Sequence, residues 1–325
     1  MTGTEQSADG VKLSIVATMY KSAPYIREFC SRCVAAASRI TDDFEIILVN
    51  DGSPDDSLEI ALDMRAGDPR IKIVDFSRNF GHHKAMMTGL MHVSGEQVFL
   101  IDSDLEEPPE LLLEFWELLE KDRALDVVYG VQERRKGGWF ERWGGRAFFT
   151  VMKVLSRQPL PSDVVTARLM TRRYVDALTQ HLDREVFMLG LWEITGFKQM
   201  GVKVNKASKG ETTYTLFRKL SVALNAITSF SNRPLYFIFA VGMVMSACSF
   251  CLALYYLLLW FFVIRGNETG FTTIVISIWM VGGLNLLSQG MLGIYLAKMF
   301  SEVKRRPYTV IRELHFDGKE RDGGR

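Results

Sequence analysis

Two aspartates one residue apart, Asp102 and Asp104, follow directly on the apolar run 98–101 and precede Glu106, Glu107, Pro108, Pro109 and Glu110. Carboxylates at that spacing on a turning backbone can both reach an oxygen-liking divalent cation, Mg2+ or Mn2+, and leave coordination positions open for a diphosphate. The same acids, Glu106, Glu107 and Glu110 above all, also suit the first turn of a helix, where negative charge meets the positive end of the macrodipole. The other loops have to decide between the two.

Apolar strands and amphipathic helices alternate from residue 13. Strands are expected over 13–18, 44–50, 71–75, 97–102 and 126–131, with helices from about Pro24, Pro54, His83 and Pro109 onward. That alternation implies right-handed crossovers and a mainly parallel, doubly wound α/β sheet, in which ligands collect outside the carboxyl ends of the strands. Those ends carry Thr18, Tyr20 and Lys21; Asn50, Asp51 and Gly52; Ser77, Arg78 and Asn79, with Lys84 in the helix beyond; then Asp102, Ser103 and Asp104. A ring for stacking, a carboxylate for a base or ribose edge, an Arg for phosphate charge and a metal pair together make a nucleotide site. Each has a plain structural alternative, such as turn formation for Asp51 and Gly52, but the alternatives must then hold four times over at one sheet edge. His82 and His83 are expected to cap or pack the following helix, because no third ligand of metal-site spacing accompanies them.

The chain has 325 residues and a formal charge of +1, which argues against nucleic acid as a partner. Residues 235–264 and 271–297 contain no Asp, Glu, Lys or Arg. At about 1.5 Å per residue each run is long enough to cross the ~30 Å hydrocarbon layer, so two transmembrane helices are expected. Arg218, Lys219 and Arg233 precede them and Lys298, Lys304, Arg305 and Arg306 follow, which places both termini in the cytoplasm of a multi-pass plasma-membrane protein. The start, MTGTEQSADG, lacks the charged-then-apolar pattern of a signal peptide. Cys30/Cys33 and Cys248/Cys251 read as buried apolar thiols. Residues 139–155 and 215–231 mix aromatic or aliphatic residues with cations and suit interfacial helices. Asn285 and Gln289, four apart among Gly282, Gly283, Gly290 and Gly293, fit close packing between helices and hence a homo-oligomer.

The stretches NDGSPDDS at 50–57, SRNFGHHKA at 77–85, DSDLEEPPE at 102–110, ARLMTRR at 167–173 and ITSFSNRPL at 227–235 carry a resemblance. Together they resemble the membrane-anchored family 2 glycosyltransferases of GT-A fold, the polyprenyl-phosphate glycosyltransferases that include dolichyl-phosphate mannose synthase. The resemblance implies a GT-A catalytic domain over 1–214, an amphipathic juxtamembrane helix over 215–233, two transmembrane helices within 234–300 and a cytoplasmic tail over 301–325. It implies a nucleoside-diphosphate sugar as donor, UDP-linked ahead of GDP-linked, a polyprenyl phosphate such as undecaprenyl phosphate as acceptor, and inversion at the anomeric carbon. By the family's pattern Asp51 contacts the nucleobase, Asp102 and Asp104 hold the diphosphate through the metal, and Arg78 lies near the phosphates; Thr18, Tyr20, Lys84 and Ser103 complete the nucleotide set.

Two departures from that pattern stand out. Family members often carry an Asp, a candidate base, ahead of a Phe-Arg-Leu triplet; here Thr166 occupies that place before Ala167, Arg168 and Leu169, with Asp163 the nearest acid. Asp104, Asp163, Thr166 and Arg168 are therefore the candidate catalytic residues. The Arg-rich segment before the membrane reads NKASKGETTY at 205–214, leaving Lys206 and Lys209, with Arg134, as cations for the acceptor phosphate. Two rival readings stay open: a processive polysaccharide synthase, disfavoured by the lack of a Gln-x-x-Arg-Trp signature and by only two spans, and an inactive membrane scaffold that binds sugar nucleotide.

Overall fold

The computed structural model describes residues 11–132, 164–183, 186–204, 233–262 and 271–316. Asp163, Arg134, Lys206, Lys209 and the two expected interfacial segments lie outside them. The chain divides into two compact units, one holding the sheet and the other the two long helices.

The first unit is one eight-stranded sheet in the order β7-β5-β6-β4-β1-β2-β3-β8. Its centre is β1 (Leu13–Met19), β2 (Phe44–Asn50), β3 (Ile71–Phe76) and β4 (Gln97–Asp102), all mutually parallel. Each is apolar on both faces because helices cover both, as parallel sheets require. On one face α1 (Ile26–Ala37), α2 (Ser57–Gly67) and α4 (Leu111–Lys121) pack Phe29, Cys30, Cys33, Ala61 and Phe115 against Ile15, Ala17, Ile46, Phe99 and Ile101. On the other lies α3 (His82–Leu90), which packs on β1 and β2. Burial pushes the Cys30 thiol up to about 12, the behaviour of an inert core residue.

The outer strands depart from the simple alternation. β5 (Val127–Gln132) does not pair with β4; β6 (Val164–Thr171) inserts between them, antiparallel to both. α5 (Arg172–Leu178) and α6 (Met188–Ile194) follow, and β7 (Gln199–Val204) then pairs parallel to β5. β8 (Ile311–His315) closes the far edge, antiparallel to β3. The sheet is thus mostly parallel, with β6 and β8 reversed.

The second unit contains α7 (Arg233–Phe262) and α8 (Phe271–Val303). Among the described residues one helical stretch is long and apolar enough to cross a membrane, Met280–Val303, and α7 contributes the shorter apolar stretch Leu235–Met245. Large apolar side chains including Phe237, Leu286, Leu296 and Met299 are exposed along the two helices. So are Cys248 and Cys251 on α7, where the sequence reading has buried thiols. Gln289 Nε2 donates to Asn285 Oδ1 at 2.9 Å, one turn apart on α8.

Candidate active site

The parallel register sets the site. It places Thr18 of β1 beside Asp102 of β4, and Asn50 of β2 beside Asp75 of β3, all at the carboxyl ends of their strands. Asp102 is then gripped from two sides. Thr166, on the reversed strand β6, donates its hydroxyl to Asp102 Oδ2 at 2.8 Å. His82 at the start of α3 puts Nε2 3.3 Å from Asp102 Oδ1, while its Nδ1 lies 3.0 Å from Thr18 Oγ1. His82 therefore spans two strand ends instead of only opening the helix, and the Asp102 side chain keeps 21% of its surface exposed. After it the backbone turns sharply, with Leu105 at φ +60, and Asp104 Oδ1 accepts the Glu106 N–H at 3.0 Å.

Glu107 has a role the sequence did not disclose. Read there as a helix-dipole acid, it is buried and accepts the N–H groups of Thr166 at 3.3 Å and Ala167 at 2.7 Å. It fixes the start of β6 so that the Thr166 hydroxyl meets Asp102. Glu110 behaves as a surface acid: Arg32 donates to both its oxygens, and that pairing holds its pKa below the usual range.

A second group gathers around Asp51, which is only 2% exposed. Its carboxylate accepts the N–H groups of Phe80 at 2.7 Å and Gly81 at 3.0 Å, so it ties the 77–81 loop to the end of β2. Burial raises the Asp51 pKa, and the two backbone donors work against that rise. Arg78 is exposed on this loop, its guanidinium 4.1 Å from the Phe80 ring centroid and its Nη1 donating to Asn79 O. Tyr20 offers an exposed ring, and the Lys84 ammonium sits 5.7 Å from the Tyr308 ring centroid. Ser103 is buried, donating to Thr18 O at 2.7 Å with Ser22 Oγ at 3.0 Å, which braces the β4 turn against β1.

Residues 14–179 match the family model described as Glycosyl transferase family 2. The chain is a family 2 glycosyltransferase. A Mycobacterium tuberculosis (strain CDC 1551 / Oshkosh) protein described as a glycosyltransferase is 48% identical over 305 residues, 94% of this chain and 89% of its own length. The uncharacterized glycosyltransferase YkcC of Bacillus subtilis (strain 168) is 33% identical, over 93% of this chain and 94% of its own. The prophage bactoprenol glucosyl transferase homolog of Escherichia coli (strain K12) is 28% identical, over 94% and 99%. A solved mannosyltransferase from Pyrobaculum calidifontis, in complex with GDP-Man and Mn2+, aligns over 90% of this chain and 86% of its own at 13% identity and a TM-score of 0.42, too low to support any argument about the site.

In this glycosyltransferase Arg168 lies two residues beyond Thr166 on β6, within electrostatic reach of the buried Glu107. Its guanidinium is 1% exposed and stacks on the Trp192 ring, with Nε donating to Thr166 O at 3.3 Å. Burial lowers its pKa to about 9. Arg168 Nη2 and Trp192 Nε1 have no hydrogen-bond partner among the described residues, and both side chains line a small cavity of about 10 Å³, room for one water. Arg168 is thus placed to brace β6.

The turn after β2 is held by Asp55, which accepts from the hydroxyls of Ser53 and Ser57 and from the Ala23 N–H. Burial pushes its carboxyl upward, but these donors outweigh it and its pKa falls below the ordinary 3.8. A depressed carboxylate contributes stability that is present above its unfolded pKa and lost as pH falls through the folded value. Asp55→Asn should therefore lower Tm at pH 7 by about 2–4 °C, roughly 1 kcal/mol for a domain of this size. The gap to wild type should close below pH 3.8, as thermal melts across pH will read.

Proposed function

We propose that this glycosyltransferase moves one sugar from a nucleoside diphosphate, UDP ahead of GDP, onto a polyprenyl phosphate at the cytoplasmic face of the plasma membrane, with inversion. The observation that carries the reading is the convergence of Asp51, Asp102 and Thr166 at the strand ends of a chain that also holds the membrane-length apolar stretch Met280–Val303. The relatives named as bactoprenol glucosyl transferases, at 28–29% identity over 94% of the chain, support a lipid acceptor. The charge-free runs 235–264 and 271–297 support two spans with both termini in the cytoplasm, and the glycines of α8 support association of copies.

Asp102 and Asp104 are the residues that would hold Mg2+ or Mn2+. The donor set fits: both are carboxylates on one turn, and hard cations prefer oxygen. Among the described residues no group of three or more His, Cys, Asp or Glu is placed to hold a metal ion. When bound, such a cation neutralises the charge that builds on the leaving diphosphate.

The chain's own part is positioning. Thr166 and His82 fix the Asp102 carboxylate, Glu107 fixes Thr166, and Asp51 fixes the loop that presents Arg78 to the phosphates. Replacing the family's acid by Thr166 costs little in this scheme. A phosphate monoester has a second pKa of about 6 and is already largely dianionic near neutral pH, so the acceptor needs orientation and charge screening more than deprotonation. Arg134, Lys206 and Lys209 are the cations assigned to it.

The test is to incubate the purified protein with radiolabelled undecaprenyl phosphate, a panel of UDP- and GDP-sugars and MgCl2 or MnCl2, then identify the product by mass spectrometry. One glycolipid, from one donor, is the expected result. Nucleotide binding without any glycolipid would overturn the reading in favour of a scaffold.

A further inference from the structure

The strand that follows the last long helix reaches the donor side of the sheet. β8 pairs with β3, and the register between them slips at Asp75/Phe76, the point where β3 releases into the 77–81 loop. There the C-terminal segment brackets one residue from both sides: the Ser77 N–H donates to Val310 O at 3.0 Å, and Arg312 Nη2 donates to Ser77 O at 3.1 Å. Arg312 Nη1 also lies 3.3 Å from Asp75 Oδ2, a carboxylate only 3% exposed. Asp75 Oδ1 in turn accepts from Asn50 Nδ2 at 2.7 Å, and Asn50 Oδ1 accepts the Ser53 N–H at 3.1 Å. One guanidinium thus joins, through a buried carboxylate and an amide, the loop after β3 to the turn after β2.

We propose that Arg312 is a positioning residue for the donor nucleotide, holding the near end of the 77–81 loop while Asp51 holds its far end. The inference rests on the donor-site reading above. Two fixed ends leave the short loop one conformation in which Arg78 and the Phe80–Gly81 backbone keep their places. Without Arg312 the Ser77 carbonyl loses its donor and, among the described residues, the buried Asp75 keeps Asn50 alone; the Ser77 N–H bond to Val310 O is then the remaining tie on the loop's near end, which drifts more. Ordering that drift on ligand binding falls on nucleotide affinity.

The experiment titrates UDP and GDP, with MgCl2 or MnCl2, into the full chain in detergent micelles, comparing wild type, Arg312→Ala, Arg312→Lys and Leu314→Ala. Leu314 sits on the same strand, opposite Val74, and controls for truncating a side chain of β8 away from the loop. The expected result is a nucleotide Kd about tenfold weaker for Arg312→Ala and intermediate for Arg312→Lys, whose ammonium reaches one acceptor but not both in the fork geometry. Leu314 is an exposed position of that strand, so Leu314→Ala should change Tm little and leave Kd at the wild-type value. A wild-type Kd in Arg312→Ala, or an equal loss in Leu314→Ala, overturns the proposal. Failure of wild type to bind either nucleotide overturns the donor-site reading itself, and with it this one.

Discussion

Asp104→Asn is expected to abolish sugar transfer, lowering kcat/KM by on the order of 10³, the scale seen when one preorganised electrostatic contact to a transition state is removed. The substitution keeps the local backbone. Asp104 Oδ1 accepts the Glu106 N–H, and the amide oxygen of Asn can accept the same bond. What disappears is a negative charge beside Asp102, at a partly exposed position where a near-isosteric change costs within about 0.5 kcal/mol of stability. Wild-type thermal melting and membrane insertion alongside lost transfer would therefore isolate the charge as the cause. Full turnover by the variant in the absence of added divalent cation would remove the metal role assigned to Asp102 and Asp104. Asp102→Asn is a less clean probe, because the same change also disturbs the hydrogen bond from Thr166 and the contact with His82.

The parts of this site that a sequence reader can see are those written in local pattern. β1 to β4 are continuous apolar runs ending in polar residues, and the structure ends them within one residue of the expected positions. Cys30 and Cys33 fall on the buried stripe of α1 as their helical spacing implies. What stayed hidden depends on pairing across long stretches of chain. His82 meets Thr18 at a separation of 64 residues, and Glu107 meets Ala167 at 60; nothing local distinguishes that histidine from a helix-capping one or that glutamate from a dipole acid. β6 inserts against the direction of its neighbours, a choice made by how the sheet closes and not by its own apolar run. β8 leaves no such pattern for a different reason: IRELH is short, half polar and mostly exposed, because an edge strand that shields another edge has little apolar surface to hide. The charge-free runs 235–264 and 271–297 predict two spans, whereas among the described residues one stretch, Met280–Val303, is long and apolar enough to cross a membrane.

Gly52→Ala should damage stability and donor binding together. Gly52 has φ +59, a conformation that costs a residue with a side chain about 1–2 kcal/mol. Space is the harder constraint. A Cβ built there would lie 2.5 Å from both Arg78 C and Asn79 N, and 2.9 Å from Arg78 Cα. These are backbone atoms, so no rotamer change relieves the overlap; either the turn after β2 or the 77–81 loop must move. Asp51 is the next residue back and holds Phe80 and Gly81 by the two hydrogen bonds that any such movement stretches. Strain and lost bonds together should remove about 2–4 kcal/mol, visible as a lowered Tm, and nucleotide Kd should rise by at least about tenfold because the displaced loop carries Arg78, the group proposed to meet the phosphates. The pairing of effects separates this variant from Arg312→Ala, which should weaken nucleotide binding through the other end of the same loop with a smaller change in Tm. A Gly52→Ala protein that melts and binds UDP or GDP like wild type would mean that the close approach of the two loops does not shape the donor site.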